Sequence, residues 1–329
     1  VKLATWIEPD GSERFGPVLD DGVLDVSALD RAGGAVGGVE DHLRDLPASH
    51  ARLEQLLAET PPRDLARCTR PTSSVRLMAP IPRPAAILDC GLTPRHLANS
   101  SAVLLRRSLP RPLGAVSGAI ARRVLRRPMP GVRYYKGNRT SVSGPDDTVP
   151  WPPFSAYLDI EPELAVVTGA LPIGADRATA AAAVAGYTIF NDVSARDVQL
   201  AEMLFTGPAT SKDLDHGNGL GPWLVTPDEL GDPRRLDVQV AVAGRPAWRG
   251  STAEYSMDPV DVLVALAERQ SLPAGTVVGM GTVPDTCGLD RDEWLEPGTE
   301  FAITFEGIGT LRQRFGEPAA LPRTSWAGR

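Results

Sequence analysis

The run from Tyr157 to Gln199 constrains this chain most. It opens YLDIEPELAVVTG, crosses an alanine-rich helical stretch and ends GYTIFNDVSARDVQ. Glu161 and Glu163 stand two apart among Ile160, Leu164, Val166 and Val167, a strand composition, and a strand's period of two puts both carboxylates on one face. Asp192 follows a second apolar run, Tyr187 to Phe190, so a third carboxylate arrives at the end of a neighbouring strand. Three carboxylates cannot converge unpaired in a low-dielectric interior, because each raises the others' pKa and desolvation adds to the cost. A hard divalent cation resolves this, and oxygen-only donors suit Mg²⁺, Ca²⁺ or Mn²⁺ rather than zinc or copper. The rival reading of Glu-x-Glu is an edge strand with a solvated acidic face. Against it, Asn191, Asp192, Ser194, Arg196, Asp197 and Gln199 crowd in directly after an apolar strand, where a plain connection needs only a cap.

The 329 residues suffice for a large core and, as a soft prior, two domains. No apolar run approaches a membrane span and the start, VKLATWIEPDGSERFG, lacks a signal-peptide pattern, so a cytoplasmic protein is expected. Cys68, Cys90 and Cys287 are too few and too scattered for a disulfide framework or a zinc site. Of 34 basic residues only Lys2, Lys136 and Lys212 are lysine, so a lysine that persists where arginine is favoured marks a need for an ammonium. Lys136, beside Tyr135 in YYKGNR, and Lys212, in SKDLD, lie in polar stretches of the kind that contact a substrate.

Residues 1–75 read as a small N-terminal domain: short strands with turns at Asp10-Gly11 and Asp21-Gly22, then helical spacing from Asp41 to Glu59 interrupted at Pro47. Residues 76–329 form the larger unit. It opens with a strand from Ala85 to Leu88, ended by Asp89; His96 follows seven residues later. That pair suits a metal ligand with a general base beside it, or a cap and a surface histidine. From Cys90 to Pro145 there is no acidic residue but ten arginines and Lys136, in a chain of net charge −7. Leu113 to Leu125 within it is amphipathic at helical spacing. Nucleic acid, an anionic membrane surface, an acidic partner or an anionic substrate under a lid would each explain the charge. Without interleaved aromatics or a nucleic-acid motif, a lid or interface over about residues 100–133 is the first reading among these. The remaining elements, including Trp223 to Thr226, Arg235 to Val242, Thr276 to Met280 and Glu300 to Phe305, are mostly strands. An α+β, mainly β unit folded as a roll or barrel is expected.

YLDIEPELAVVTG, GYTIFNDVSARDVQ, SKDLD with GLGPW, GTVP and IGTLR occur in the order and at the spacing of the fumarylacetoacetate hydrolase family, which the chain resembles over roughly residues 76 to 315. The resemblance implies a mixed β-roll, a homodimer, and a Mg²⁺ or Ca²⁺ site made by Glu161, Glu163 and Asp192, with Asp89 as fourth ligand. It implies His96 as the base that activates water and Lys212 as the ammonium that stabilises an oxyanion or enolate. Arg196 and Gln199 match positions that hold a substrate carboxylate, and Thr282 a threonine of the pocket. The activity implied is hydrolysis of a carbon–carbon bond in a β-diketo acid, of fumarylacetoacetate or acylpyruvate type, through a metal-chelated enolate.

The chain departs from the family at three places. Asn99 replaces the glutamate that in many relatives follows the histidine by three residues, leaving Glu293 and Glu296 as candidates to orient His96. Met203 stands where the hydrolases carry a tyrosine, and the segment Ser100 to Arg133 is longer than expected. A decarboxylase, isomerase or hydratase of a 2-oxo acid on the same metal site is the rival enzyme. A non-catalytic scaffold that binds an anionic partner is the rival outside enzymes, and all four carboxylates, His96 and Lys212 speak against it.

Overall fold

The computed structural model describes residues 1–20, 22–29, 37–128, 130–324 and 326, so Asp21 of the second expected turn and Met129 of the arginine-rich segment lie outside it. At the centre are two antiparallel strands, Pro162–Thr168 and Val184–Asp192, with Glu163 opposite Phe190. Every residue in both is buried. Their near-continuous apolar sequence reflects cover on both faces.

From this pair a mixed sheet extends both ways. On one side lie Thr276–Gly279, Ala86–Cys90 running parallel to it, and Tyr134–Gly137; on the other lie Asn218–Val225, Lys2–Ile7, Glu13–Leu19, Gly22–Leu24 and Thr69–Pro71. A second sheet is built from Trp248–Ser251, Asp237–Val242, Glu300–Phe305, Gly309–Phe315 and Thr148–Val149. Leu164, Val166 and Ile189 on one face of the central strands share a core with Val240, Phe301, Ile303 and Leu311 of that sheet. The alternate residues Ala165, Val167 and Phe190 join a second core with Leu3, Phe15, Leu43 and Leu53. The expected α+β class with mixed sheets is what the chain adopts.

The helical spacing after Asp41 yields Val39–Arg44 and Ala48–Glu59, divided at Pro47 as expected. The expected division at residue 75 is crossed by the large sheet, in which Leu3 pairs with Leu224. The arginine-rich segment forms two helices, Pro94–Ser108 and Leu113–Val124, packed on each other.

Candidate active site

Strand alternation carries three carboxylates to one place. Glu163 shares its face with Ala165 and Val167, and Asp192 shares its face with Phe190. Asp89, opposite Gly279, shares its face with Ile87. One ligand-type oxygen from each of Asp89, Glu163 and Asp192 lies within 4.8 Å of the others. Oδ1 of Asp89 and Oδ1 of Asp192 are buried and without a hydrogen-bond partner among the described residues. Gly279 makes the convergence possible, because a Cβ there would stand 2.6 Å from Asp89 Oδ1 and 2.8 Å from Glu163 Oε2. Burial, then the neighbouring Asp192 charge, push the Asp89 carboxyl up to about 8. Burial and Asp89 push Glu163 well above the usual carboxylate range.

Glu161 reaches the same cavity with different partners. Its Oε1 accepts from Arg196 Nη1 at 2.6 Å, its Oε2 accepts from Lys212 Nζ, and His96 Nε2 lies 3.6 Å from Oε1. Burial alone would raise its pKa, but Arg196 and Lys212 outweigh that and hold it well below the usual range. Lys212 Nζ also donates to Asp192 Oδ2, and those two carboxylates keep the ammonium charged although it is buried. The Tyr135 hydroxyl donates to the same Asp192 oxygen at 2.6 Å.

His96 lies in the first turn of Pro94–Ser108, and its Nδ1 is 2.9 Å from Asp290 Oδ1. Neither Glu293 nor Glu296 orients it: Glu293 accepts from Trp248 Nε1 and Arg291 Nε. Asp290 sits in the short helix Gly288–Arg291, whose first two amides, Gly288 and Leu289, both donate to Asp159 at 2.8 Å. Burial would lower the His96 pKa, but the Asp290 charge and hydrogen bond raise it well above the usual value. Cys287 Sγ lies 3.8 Å from the same nitrogen; burial pushes its thiol up to about 12, so it stays protonated and is no nucleophile.

The sequence reading placed Arg196 on a substrate carboxylate; the structure gives its guanidinium three internal partners. Nε and Nη2 donate to Asp159 Oδ2 at 3.0 and 2.8 Å, while Nη1 donates to Glu161 and to Gln199 Oε1 at 3.0 Å. It is fully buried, as a guanidinium is when planar carboxylates match its fork. Asp159 is the residue that reading missed, although it stands two before Glu161 in the same alternation. Lys136 is not brought to the site: on strand Tyr134–Gly137 Tyr135 points inward, and Lys136 lines a separate hollow with Ala86 and Gln270.

Asp89, His96, Tyr135, Glu161, Glu163, Arg196, Gln199, Lys212 and Thr282 line one cavity of about 330 Å³. Thr282 Oγ1 and the Gly281 amide donate to Glu163 at 3.3 and 2.8 Å. Leu97, Leu104, Met203, Pro208 and Leu289 form its apolar wall. The arrangement pairs an oriented imidazole with a cluster of oxygens short of positive charge, a combination that can move a proton beside a bound cation.

Residues 113–316 match a sequence profile described as fumarylacetoacetate (FAA) hydrolase C-terminal, a span that holds Glu161, Glu163, Asp192, Lys212 and Asp290 but begins after Asp89 and His96. Over 182 residues the chain is 34% identical to the 2,4-didehydro-3-deoxy-L-rhamnonate hydrolase of a Sphingomonas species; that match covers 54% of this chain and 62% of that enzyme. The chain thus spans less than two thirds of the length of that curated relative. Its fold is shared with the fumarylacetoacetate hydrolase of Exiguobacterium antarcticum, with a TM-score of 0.70 at 24% identity over 96% of this chain and 99% of that one. The maleylpyruvate hydrolase of Sphingobium sp. SYK-6, solved with manganese(II) and pyruvate, superposes with a TM-score of 0.68 at 19% identity over 96% and 99% of the two chains.

Proposed function

The chain belongs to the fumarylacetoacetate hydrolase family, and on that premise we propose that it is a divalent-metal-dependent hydrolase cleaving a carbon–carbon bond in a β-diketo acid of fumarylacetoacetate or acylpyruvate type. The observation that carries this reading is the His96–Asp290 pair facing an all-oxygen carboxylate cluster across one cavity.

The residues fit a hard cation. Their donor atoms are all carboxylate oxygens, two of them buried without partners, and Gly279 leaves them room. Asp89, Glu163 and Asp192 would hold Mg²⁺, Mn²⁺ or Ca²⁺, with Glu161 as the fourth donor. Bound there, the cation would neutralise the cluster and supply the positive charge that a departing enolate needs.

The chain's own groups account for the rest. Asp290 fixes the imidazole so that Nε2 faces the cavity; in its neutral form, which a cation on the carboxylates would favour by offsetting their charge, it takes a proton from water. The water oxygen bonds the carbonyl carbon, the carbon–carbon bond breaks, and its electron pair leaves as an enolate that the imidazolium reprotonates. Lys212 holds positive charge beside the developing anion. Arg196 acts as a positioning residue: it ties Glu161 to Asp159, and Asp159 ties down the helix that carries Asp290. Gln199, Thr282 and Tyr135 line the substrate's side of the cavity.

A turnover screen of acylpyruvates, fumarylacetoacetate-like acids and oxaloacetate, with Mg²⁺ and after EDTA, read by mass spectrometry in ¹⁸O-water, tests the proposal. Two acids, one labelled, formed only with metal are expected. Release of CO₂ or an unchanged mass would assign decarboxylation or isomerisation instead, and full turnover after exhaustive chelation would remove the metal.

A further inference from the structure

The helix Leu113–Val124 is mounted the opposite way from an ordinary amphipathic helix. The side it packs against Pro94–Ser108 is built of glycine: a Cβ at Gly114 would stand 2.9 Å from the Leu105 carbonyl oxygen, and one at Gly118 2.7 Å from that of Ala102. With small residues at the contact, the two backbones approach closely. The large apolar residues Leu113, Val116, Ile120 and Val124 recur at helical spacing and form one stripe. They point to solvent, with 57, 56, 58 and 62% of their surfaces exposed. An apolar stripe of four such residues is normally covered.

The charge around it says by what. Arg111, Arg122, Arg123, Arg126 and Arg127 are exposed and make no ion pair among the described residues. No carboxylate lies in the sequence from Cys90 to Pro145. The nearby Asp292 is already bound by Arg106 and Arg107 of the partner helix. A second copy docked face to face would set arginine against arginine, with no acid on the helix pair to offset them. An apolar stripe with Arg123 at its margin and Arg111, Arg126 and Arg127 just beyond the helix ends suits an anionic lipid surface. In a chain of net charge −7, this face is the one that such a surface would attract.

We propose that the helix Leu113–Val124 docks the protein on an anionic lipid surface. Leu113, Val116, Ile120 and Val124 enter the boundary of the acyl chains, and Arg111, Arg123, Arg126 and Arg127 contact head-group phosphates. The attachment is peripheral, since no described helix is long and apolar enough to cross a membrane.

Flotation of the full chain with phosphatidylcholine vesicles, with and without phosphatidylglycerol, tests this. The protein should float with the anionic vesicles alone and be released by high salt, which screens the contact. Replacing Arg123 and Arg127 by Ser should lower the partition roughly tenfold to thirtyfold. Ile120→Glu should abolish it without changing thermal melting, and Ile120→Trp should show blue-shifted emission on anionic vesicles. Flotation that is absent or indifferent to phosphatidylglycerol overturns the proposal. If light scattering then shows a dimer that Ile120→Glu splits, a second copy of the chain covers the stripe.

Discussion

The imidazole of His96 makes one strong hydrogen bond, from Nδ1 to Asp290, and that contact leaves Nε2 as the nitrogen turned to Glu161 and the cavity. The charges of Asp290 and Glu161 favour the imidazolium; a cation bound on the carboxylates would offset that charge and favour the neutral imidazole, which oriented this way has the geometry of a base. His96→Ala should therefore lower the hydrolytic kcat roughly 10²- to 10⁴-fold. Asp290→Asn keeps the hydrogen-bonding shape but loses the charge, and should reproduce much of that loss with little change in KM. Lys212→Ala should be at least as damaging, because it removes charge at the developing anion. Steady-state kinetics on the three variants decides the matter. A nearly silent His96→Ala beside a dead Lys212→Ala would point away from hydrolysis, to decarboxylation or isomerisation.

At the scale of elements, the helix Val39–Arg44 brings an acid-sensitive group into the second core. His42 is buried against the ring of Phe15, with centroids 5.3 Å apart, and its Nδ1 has no partner among the described residues. Burial, then the charges of His50 and Arg52, lower its pKa to about 4. The unfolded chain binds this proton near the ordinary histidine value and the folded one does not, so stability is full above about pH 6.5 and falls as the pH drops towards 4. The depression corresponds to a loss on the order of 3 kcal/mol. Denaturant melts between pH 7 and 4 should show that fall, and His42→Phe should flatten it. An unchanged slope in the variant would place the acid sensitivity elsewhere.

Across the whole molecule, the first seventy-five residues are joined to the rest by more than a linker. Strand Lys2–Ile7 adds to the sheet beside Asn218–Val225, and Leu3, Phe15, Leu43 and Leu53 cover Ala165, Val167, Phe190, Leu220 and Leu224. Four such side chains, at about 1.5–3 kcal/mol each, amount to roughly 6–12 kcal/mol, the size of a typical domain's entire stability. A fragment of residues 76–329 should therefore fail to fold by itself, as judged by the loss of near-ultraviolet circular dichroism and of a cooperative melt. A native-like melt from that fragment would make the first unit separable.

What the sequence determined by itself is what local periodicity encodes. The alternation in Glu161-Pro162-Glu163 and the apolar run before Asp192 placed acids at strand ends, and Pro47 divided a helix, because these depend on neighbours along the chain. The motif set also carried the family. Only the tertiary structure decided the partners. Asp290 lies 194 residues from His96, and Arg196 is turned to Asp159 and Glu161 by packing that no local spacing shows. Strand register put Tyr135 in the cavity and Lys136 outside it. The spacing of Leu113, Val116, Ile120 and Val124 foretold an apolar stripe, but which side met the protein depended on how closely two backbones could approach, and the glycines settled that in favour of the other face.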